Sequence, residues 1–196
     1  MRRVAALVLA ALVLAFAAGC GQDAPKFRSS DITGSSFGRE FALTDHTGKP
    51  ATLADYRGKA VVMFFGYTQC PDVCPTTLAT LSEAMKGLGP DAERVQVLFV
   101  TVDPDRDTQA LLAQYVPAFD RRFVGLYGDA AATERVAKEF KVLYQKQPGA
   151  TPGSYTVDHS AGVYMFDPQG RLRLYASHGQ PPDVYVHDLK ALLGAG

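Results

Sequence analysis

Two cysteines separated by three residues are the strongest chemical signal in this chain of 196 residues. Cys70 and Cys74 lie in the segment Phe65-Gly-Tyr-Thr-Gln-Cys-Pro-Asp-Val-Cys-Pro75, which continues an apolar run. With a turn between them, the two sulfur atoms can converge on one point, as both thiol–disulfide exchange and binding of a soft metal require. The pair therefore predicts redox chemistry, metal binding or both.

The helix that follows the pair bears on its reactivity. Pro75 suits the first position of a helix, so we expect Cys74 at the N-cap or beside it. A helix N-terminus carries about half a positive charge, which favours the thiolate over the thiol. A purely structural disulfide is an alternative in an exported protein, although so short a loop would add little stability. Two buried, inert cysteines are a further alternative. The flanking prolines and Asp72 argue against it, because they indicate an exposed turn.

A second polar segment, Thr101-Val-Asp-Pro-Asp-Arg-Asp-Thr108, follows another apolar run. Asp103 can initiate a turn there, and Asp107 or Thr108 can cap the next helix. The segment falls at the same sheet edge as the cysteines, so Asp103 is alternatively a polar residue near a metal or at a docking surface. Both interpretations of Asp103 stay open at this point.

The elements that must position these residues follow from hydrophobic periodicity and turn signals. The predicted strands are a hairpin at 41–43 and 51–53, buried central strands at 59–66 and 95–102, a short strand at 123–127, and a hairpin at 161–166 and 171–176. The predicted helices are 75–88, 108–115, 130–144 and 182–193. Residues 147–155 hold two prolines and two glycines and predict a loop.

This order of elements predicts one α/β domain with a thioredoxin-like fold, a central mixed sheet flanked by helices with an N-terminal β-hairpin extension. In that fold, the loop before the fourth core strand packs beside the cysteine turn. Val157-Asp-His-Ser160 occupies that loop, so we expect His159 to join the two sulfurs. Two thiolates and one imidazole suit Cu(I), or Cu(II) with an added ligand, whereas structural zinc normally takes four protein ligands. Asp158 is expected to orient a neighbouring ligand.

The N-terminus predicts export. Residues 1–19 combine a basic start, a short apolar run and small residues, as in a signal peptide. The end of this segment, with Cys20, resembles a bacterial lipobox, in which the cysteine becomes the lipidated first residue; an ordinary cleaved signal is the alternative. Residues 20–38 then predict a flexible tether, and 39–196 the domain. We expect the protein at the extracytoplasmic, periplasmic face, anchored by lipid to the cytoplasmic membrane.

The composition excludes several classes of protein. The chain is 47% hydrophobic, which indicates a globular domain rather than a disordered or collagen-like chain. Its 20 basic and 20 acidic side chains give a formal net charge of zero, so nucleic acid is not expected as a partner. Three cysteines cannot form a disulfide framework, and each needs its own explanation.

Three motifs in this order resemble the SCO/SenC family of copper-binding, thioredoxin-like proteins that assist cytochrome c oxidase assembly. They are the segments 65–75, 102–108 and 157–160, and the resemblance spans residues 37–195. It implies that Cys70, Cys74 and His159 are the copper ligands. It also matches Asp103 and Asp107 to the family's DxxxD element, which is associated with metal handling or recognition. Family members often carry a transmembrane anchor, from which the apparent lipobox departs.

The resemblance implies a copper metallochaperone, not an enzyme, whose acceptor is the dinuclear copper site of cytochrome c oxidase subunit II. Other extracytoplasmic copper chaperones and thiol reductants are expected partners, because the cysteine pair must be reduced before it binds metal. One alternative is a thiol–disulfide reductase that keeps the acceptor's cysteines reduced, which needs the cysteines but not His159. A peroxidase and a copper-responsive redox sensor are further alternatives.

Overall fold

A mixed β-sheet with helices around it forms the centre of the protein, and the computed structural model describes residues 26–194. The strands of this sheet are β1 (Ser30–Asp31), β2 (Ala42–Asp45), β3 (Pro50–Thr52), β4 (Ala60–Gly66), β5 (Val95–Thr101), β6 (Val124–Tyr127), β9 (Val163–Phe166) and β10 (Leu172–Ala176). A separate two-stranded sheet is formed by β7 (Tyr144–Pro148) and β8 (Tyr155–His159). The helices are α1 (Val73–Leu88), α2 (Gln109–Tyr115), α3 (Ala130–Glu139) and α4 (Pro182–Gly194).

Strands β4 and β5 lie in the middle of the large sheet, whose order is β1-β10-β9-β4-β5-β6-β2-β3. Every residue of β4 is buried, as expected for an apolar strand covered on both faces. β5 pairs with β4 in parallel, so the segments that follow the two strands emerge at the same sheet edge. The predicted thioredoxin-like α/β fold is confirmed, and the hairpin β2–β3 extends the sheet beside β6.

The region between α3 and β9 differs from the prediction. The helix predicted over 130–144 ends at Glu139, where Lys141 adopts a left-handed backbone with φ of 54°. Within the predicted loop at 147–155, residues 149–154 do form the connection, but it joins two antiparallel strands, β7 and β8, that were not predicted. Because β7 is polar and ends in proline, it carries neither the apolar run nor the alternation that identifies a strand.

The N-terminal part of the described chain contacts the domain before residue 39. Strand β1 pairs with β10, in a part of the chain for which the sequence predicted a tether. The strand gave no hydrophobic signal because both of its residues are polar. The backbone N–H groups of Arg28 and Ser29 both donate to the buried Asp188 carboxylate, at 2.8 Å each. The predicted signal peptide and Cys20 lie outside the described residues. Between residues 26 and 194, no helix combines the length and apolarity needed to cross a membrane.

Candidate metal centre

The two cysteines lie where the central strand β4 leads into helix α1. Residues 67–72, between the strand and the helix, are named the cysteine loop. Cys70 belongs to this loop, and Cys74 belongs to the first turn of the helix. The helix begins at Val73, two residues earlier than predicted, so Cys74 lies inside its first turn and is not the N-cap. Cys74 is buried, whereas Cys70 is half-buried, and both are free thiols. The backbone N–H of Cys74 points at the Cys70 sulfur, 3.5 Å away.

The absence of a side chain at Gly66 makes room for Cys74. A Cβ atom at this position would lie 2.7 Å from the Cys74 sulfur and 2.9 Å from the Phe99 ring, closer than side-chain atoms approach one another. Because Cys74 and Phe99 are both fully buried, these neighbours have little space to retreat. Glycine is therefore required just before the cysteine loop if Cys74 is to be buried there.

His159, the last residue of β8, completes the cluster. Its Nε2 atom lies 3.4 Å from the Cys74 sulfur, and its Nδ1 atom lies 3.1 Å from the Ser160 carbonyl oxygen. The ring packs edge-on between two aromatic rings, with centroids 6.2 Å from Phe64 and 5.9 Å from Tyr67. The structure thus brings together the three residues that the sequence singled out, with one ligand atom from each lying within 4.8 Å of the others.

Burial controls the charge of this cluster. Loss of solvation raises the pKa of the Cys74 thiol well above its ordinary value. Loss of solvation also lowers the pKa of His159, against the opposing effect of its contact with the Ser160 carbonyl. The expectation of a Cys74 thiolate is therefore wrong for the metal-free site, because removal of the sulfur from water outweighs its hydrogen bond with the Tyr67 backbone. Without metal, the buried part of the site is uncharged at neutral pH.

The acidic turn (residues 103–107) supports the site without entering it. Asp107 is buried and accepts hydrogen bonds from the Thr68 backbone N–H at 3.0 Å, the Thr68 hydroxyl at 2.6 Å and the Thr101 hydroxyl at 2.6 Å. The cap of helix α2 is Thr108, whose hydroxyl accepts from the Leu111 N–H. Asp103, fully buried, accepts from Arg106 and from the Tyr155 hydroxyl.

The three aspartates predicted to support the site, Asp103, Asp107 and Asp158, do not lie among the ligand atoms. Among the described residues, the group that could hold a metal contains Cys70, Cys74 and His159 and none of the three aspartates of the acidic turn. Asp158 is exposed, and the second ring nitrogen of His159 contacts the Ser160 carbonyl instead of that carboxylate. The negative charge of Asp158 raises the pKa of His159, whereas burial lowers it by more.

Sequence analysis missed two contributors to the site, Tyr67 and Arg106. The hydroxyl of Tyr67 accepts a hydrogen bond from the Val157 N–H at 3.2 Å, which ties the cysteine loop to β8. Arg106 touches three separate segments around the site. The one sequence signal for these two residues was their position. Tyr67 lies within the cysteine motif, and Arg106 lies within the aspartate motif.

The site opens to solvent through a cleft of about 430 Å³ beside Cys70. The cleft is lined by the cysteine loop on one side and by β8 on the other, including Pro71, Val157 and Asp158. A larger cavity of about 680 Å³ lies against the segment that precedes β4 and contains no cysteine or histidine. Access to the cluster therefore runs along the junction between the cysteine loop and the hairpin.

Fold and site together define a thioredoxin-like α/β protein whose CxxxC pair is completed by a histidine from a distant hairpin, a donor set suited to a soft metal. The chain belongs to the SCO1/SenC family, whose model matches residues 29–194.

Relatives of known sequence or structure share most of the domain. The mitochondrial SCO2 homolog of Mus musculus is 36% identical over 158 residues, which are 80% of this chain and 62% of that protein. The structure of Bradyrhizobium japonicum ScoI with copper bound is 40% identical with a TM-score of 0.74, covering 81% of this chain and 100% of that one. Apo Sco1 of Thermus thermophilus is 40% identical with a TM-score of 0.77, covering 88% and 100%. The chain thus spans less than two thirds of its curated mouse relative.

Proposed function

We propose that this protein is an extracytoplasmic copper metallochaperone that carries its cargo on Cys70, Cys74 and His159. The observation that carries the proposal is the convergence of the three ligand atoms within 4.8 Å. Two thiolates and an imidazole match the preference of Cu(I) for few, soft ligands, and the open cleft leaves room for the added ligand that Cu(II) needs. The copper-bound structure of the 40% identical ScoI supports the choice of metal.

Loading depends on the oxidation state of the cysteine pair. Only thiolates bind the metal, so each thiol that ligates copper releases its proton to solvent. Oxidation of the pair to a disulfide transfers two electrons and two protons to an oxidant and removes both sulfur ligands. Both cysteines are free here, which is the state that can accept copper.

The proposed acceptor is the dinuclear copper site of cytochrome c oxidase subunit II, and this part rests on the resemblance to the SCO/SenC family. Transfer would occur by ligand exchange through the cleft, on whose edge the half-buried Cys70 lies. Other extracytoplasmic copper chaperones and thiol reductants are proposed to supply the metal and to reduce the pair. Lipidation of Cys20 is proposed to hold the domain at the periplasmic face of the cytoplasmic membrane.

Anaerobic Cu(I) titration of the full chain tests the ligand set. We expect one equivalent to bind tightly to the wild type, and Cys70→Ser and Cys74→Ser to abolish stoichiometric binding. His159→Ala should weaken binding at least about 10-fold, since even the loss of a residue that only supports a ligand has that effect. His178→Ala is the matched control, because His178 is close enough to lower the pKa of His159 but lies outside the cluster. Tight stoichiometric binding by all three ligand variants would refute the assignment.

A thiol–disulfide reductase is the second candidate, favoured by the accessible Cys70 sulfur beside the buried Cys74. In that reaction the Cys70 thiolate attacks a partner disulfide, and Cys74 then resolves the mixed disulfide, so two electrons and two protons pass to the partner. His159→Ala separates the two functions, since it removes a metal ligand and leaves the dithiol. A wild-type protein that reduces disulfides catalytically but binds no Cu(I) would favour the reductase.

A further inference from the structure

We infer that Arg106 is a positioning residue of the metal centre, which fastens the β7–β8 hairpin, and with it His159, to the acidic turn and the cysteine loop. The inference deepens the proposed function, on which it rests for the identity of the metal. Its physical basis is the set of contacts around one guanidinium group.

Apart from these contacts and the Val157–Tyr67 hydrogen bond, the hairpin has few attachments to the domain. Strands β7 and β8 pair only with each other and do not join the eight-stranded sheet. A two-stranded hairpin alone is at best marginally stable in water. Of the ten residues in the two strands, only Val157 is fully buried, and Tyr144 and Tyr155 pack half-buried against the core. Polar side-chain contacts must therefore supply much of its attachment.

Arg106 supplies contacts to all three segments. Its Nη1 atom donates to the Tyr155 carbonyl in the hairpin at 2.8 Å and to the Gln69 side-chain oxygen in the cysteine loop at 3.1 Å. Its Nε atom donates to the carboxylate of Asp103 in its own turn. The guanidinium carbon lies 3.6 Å from the centroid of the Tyr155 ring and 5.6 Å from that of Tyr67. The side chain is only 19% exposed, which strengthens these interactions relative to a surface pair.

The partners of Arg106 reinforce the same junction. The Tyr155 hydroxyl donates to the second oxygen of Asp103 at 2.8 Å, so the ring is held from its edge as well as its face. Lys146 also bridges the hairpin to the turn through Asp105 at 2.5 Å, but both side chains are about half exposed or more, and such pairs contribute little. Because guanidinium is planar and donates in several directions at once, lysine cannot replace Arg106 here.

The acidic turn holds the two halves of the site mainly through different residues, since the one bond from Arg106 to the cysteine loop goes to the exposed side chain of Gln69. Asp107 holds Thr68, which belongs to the cysteine loop. Arg106 holds Tyr155, four residues before His159 on the same strand. Loss of Arg106 should consequently displace the imidazole while the two sulfurs stay in place.

Arg106→Met in the full chain tests this inference with and without copper. In the apo protein, amide hydrogen exchange over residues 144–159 should accelerate at least about tenfold, because charge-assisted hydrogen bonds to the hairpin are lost. With Cu(II), the nitrogen hyperfine signal of His159 should disappear from the electron paramagnetic resonance spectrum, which should then match that of His159→Ala. Cu(I) affinity should fall about 10- to 100-fold, as for other residues that orient a ligand.

Tyr155→Leu should reproduce these effects. This variant also serves as the test if Arg106→Met does not fold.

Arg173→Met is the matched control. Arg173 is 14% exposed, pairs with the buried Asp167 at 3.1 Å and lies 5.7 Å from the Phe27 ring, but it belongs to β10. Its replacement should leave hairpin exchange and the Cu(II) spectrum unchanged. Unchanged exchange and spectrum in both Arg106→Met and Tyr155→Leu, or the same changes in Arg173→Met, would overturn the inference. A wild type that binds no copper would defeat the proposed function, while hydrogen exchange would still decide the role of Arg106.

Discussion

The two halves of the metal centre are built in contrasting ways. The cysteine half is part of the core, since every residue of β4 is buried and Cys74 lies in the first turn of a helix packed on the sheet. The histidine half belongs to a two-stranded hairpin that buries one residue and attaches through polar side chains. Elements with few buried apolar contacts open at a lower free-energy cost than core elements. The sulfurs are therefore fixed by folding of the core, whereas the imidazole depends in addition on a local and weaker set of contacts at the hairpin.

The largest effect is expected from a change beneath the cysteine half. Phe64 is fully buried in β4, and its ring centroid lies 6.1 Å from that of Phe99. Phe64→Ala should reduce the free energy of unfolding by about 3–5 kcal/mol, because it leaves a cavity in the core. Urea denaturation measures this loss. A reduction below about 1 kcal/mol would show that the cysteine half does not depend on the core as described.

A smaller and more local effect is expected at the junction with the hairpin. Tyr67→Phe removes the acceptor of the Val157 N–H and keeps the ring beside His159. The expected loss of stability is about 1 kcal/mol, with faster hydrogen exchange at Val157 than at the strands of the large sheet. Tyr164→Phe is the control, since the Tyr164 hydroxyl donates to the Phe140 carbonyl at 2.7 Å and does not touch the hairpin. Equal acceleration at Val157 in both variants would contradict a distinct hairpin.

The pH dependence of the stability of the apo protein reports on the burial of His159 in the hairpin half of the site. Burial lowers the pKa of His159 below its ordinary value of 6.5, although Val157 is the one fully buried residue of the strand that carries it. As the pH falls through 6.5, the unfolded chain takes up the proton before the folded one, so His159 makes stability decrease toward acid and leaves it undiminished above that pH. Urea midpoints between pH 8 and pH 5 should show this slope, and His159→Gln should flatten it. A His159 titration midpoint at or above 6.5, measured by NMR, would contradict the buried placement of the ring.

Sequence reasoning reached the cysteine half and the donor set but not the means of holding the histidine. Long apolar runs predicted β4 and β5 because such strands are covered on both faces. The β7–β8 hairpin was missed because its polar residues, proline and glycine indicate a loop, and the left-handed Lys141 leaves no local signal. The contact from Arg106 to Tyr155 joins residues 49 positions apart, which no local pattern encodes. The predicted thiolate was wrong because the depth at which a sulfur is buried depends on tertiary packing.

The orientation of the His159 ring determines where the Cys74 proton can lie when no metal is bound. Because Nδ1 directs its hydrogen toward the Ser160 carbonyl, the lone pair of the ring lies on Nε2 and faces the sulfur of Cys74. The thiol hydrogen of Cys74 can therefore lie between the two atoms, so a metal that binds both of them must first displace this proton to solvent.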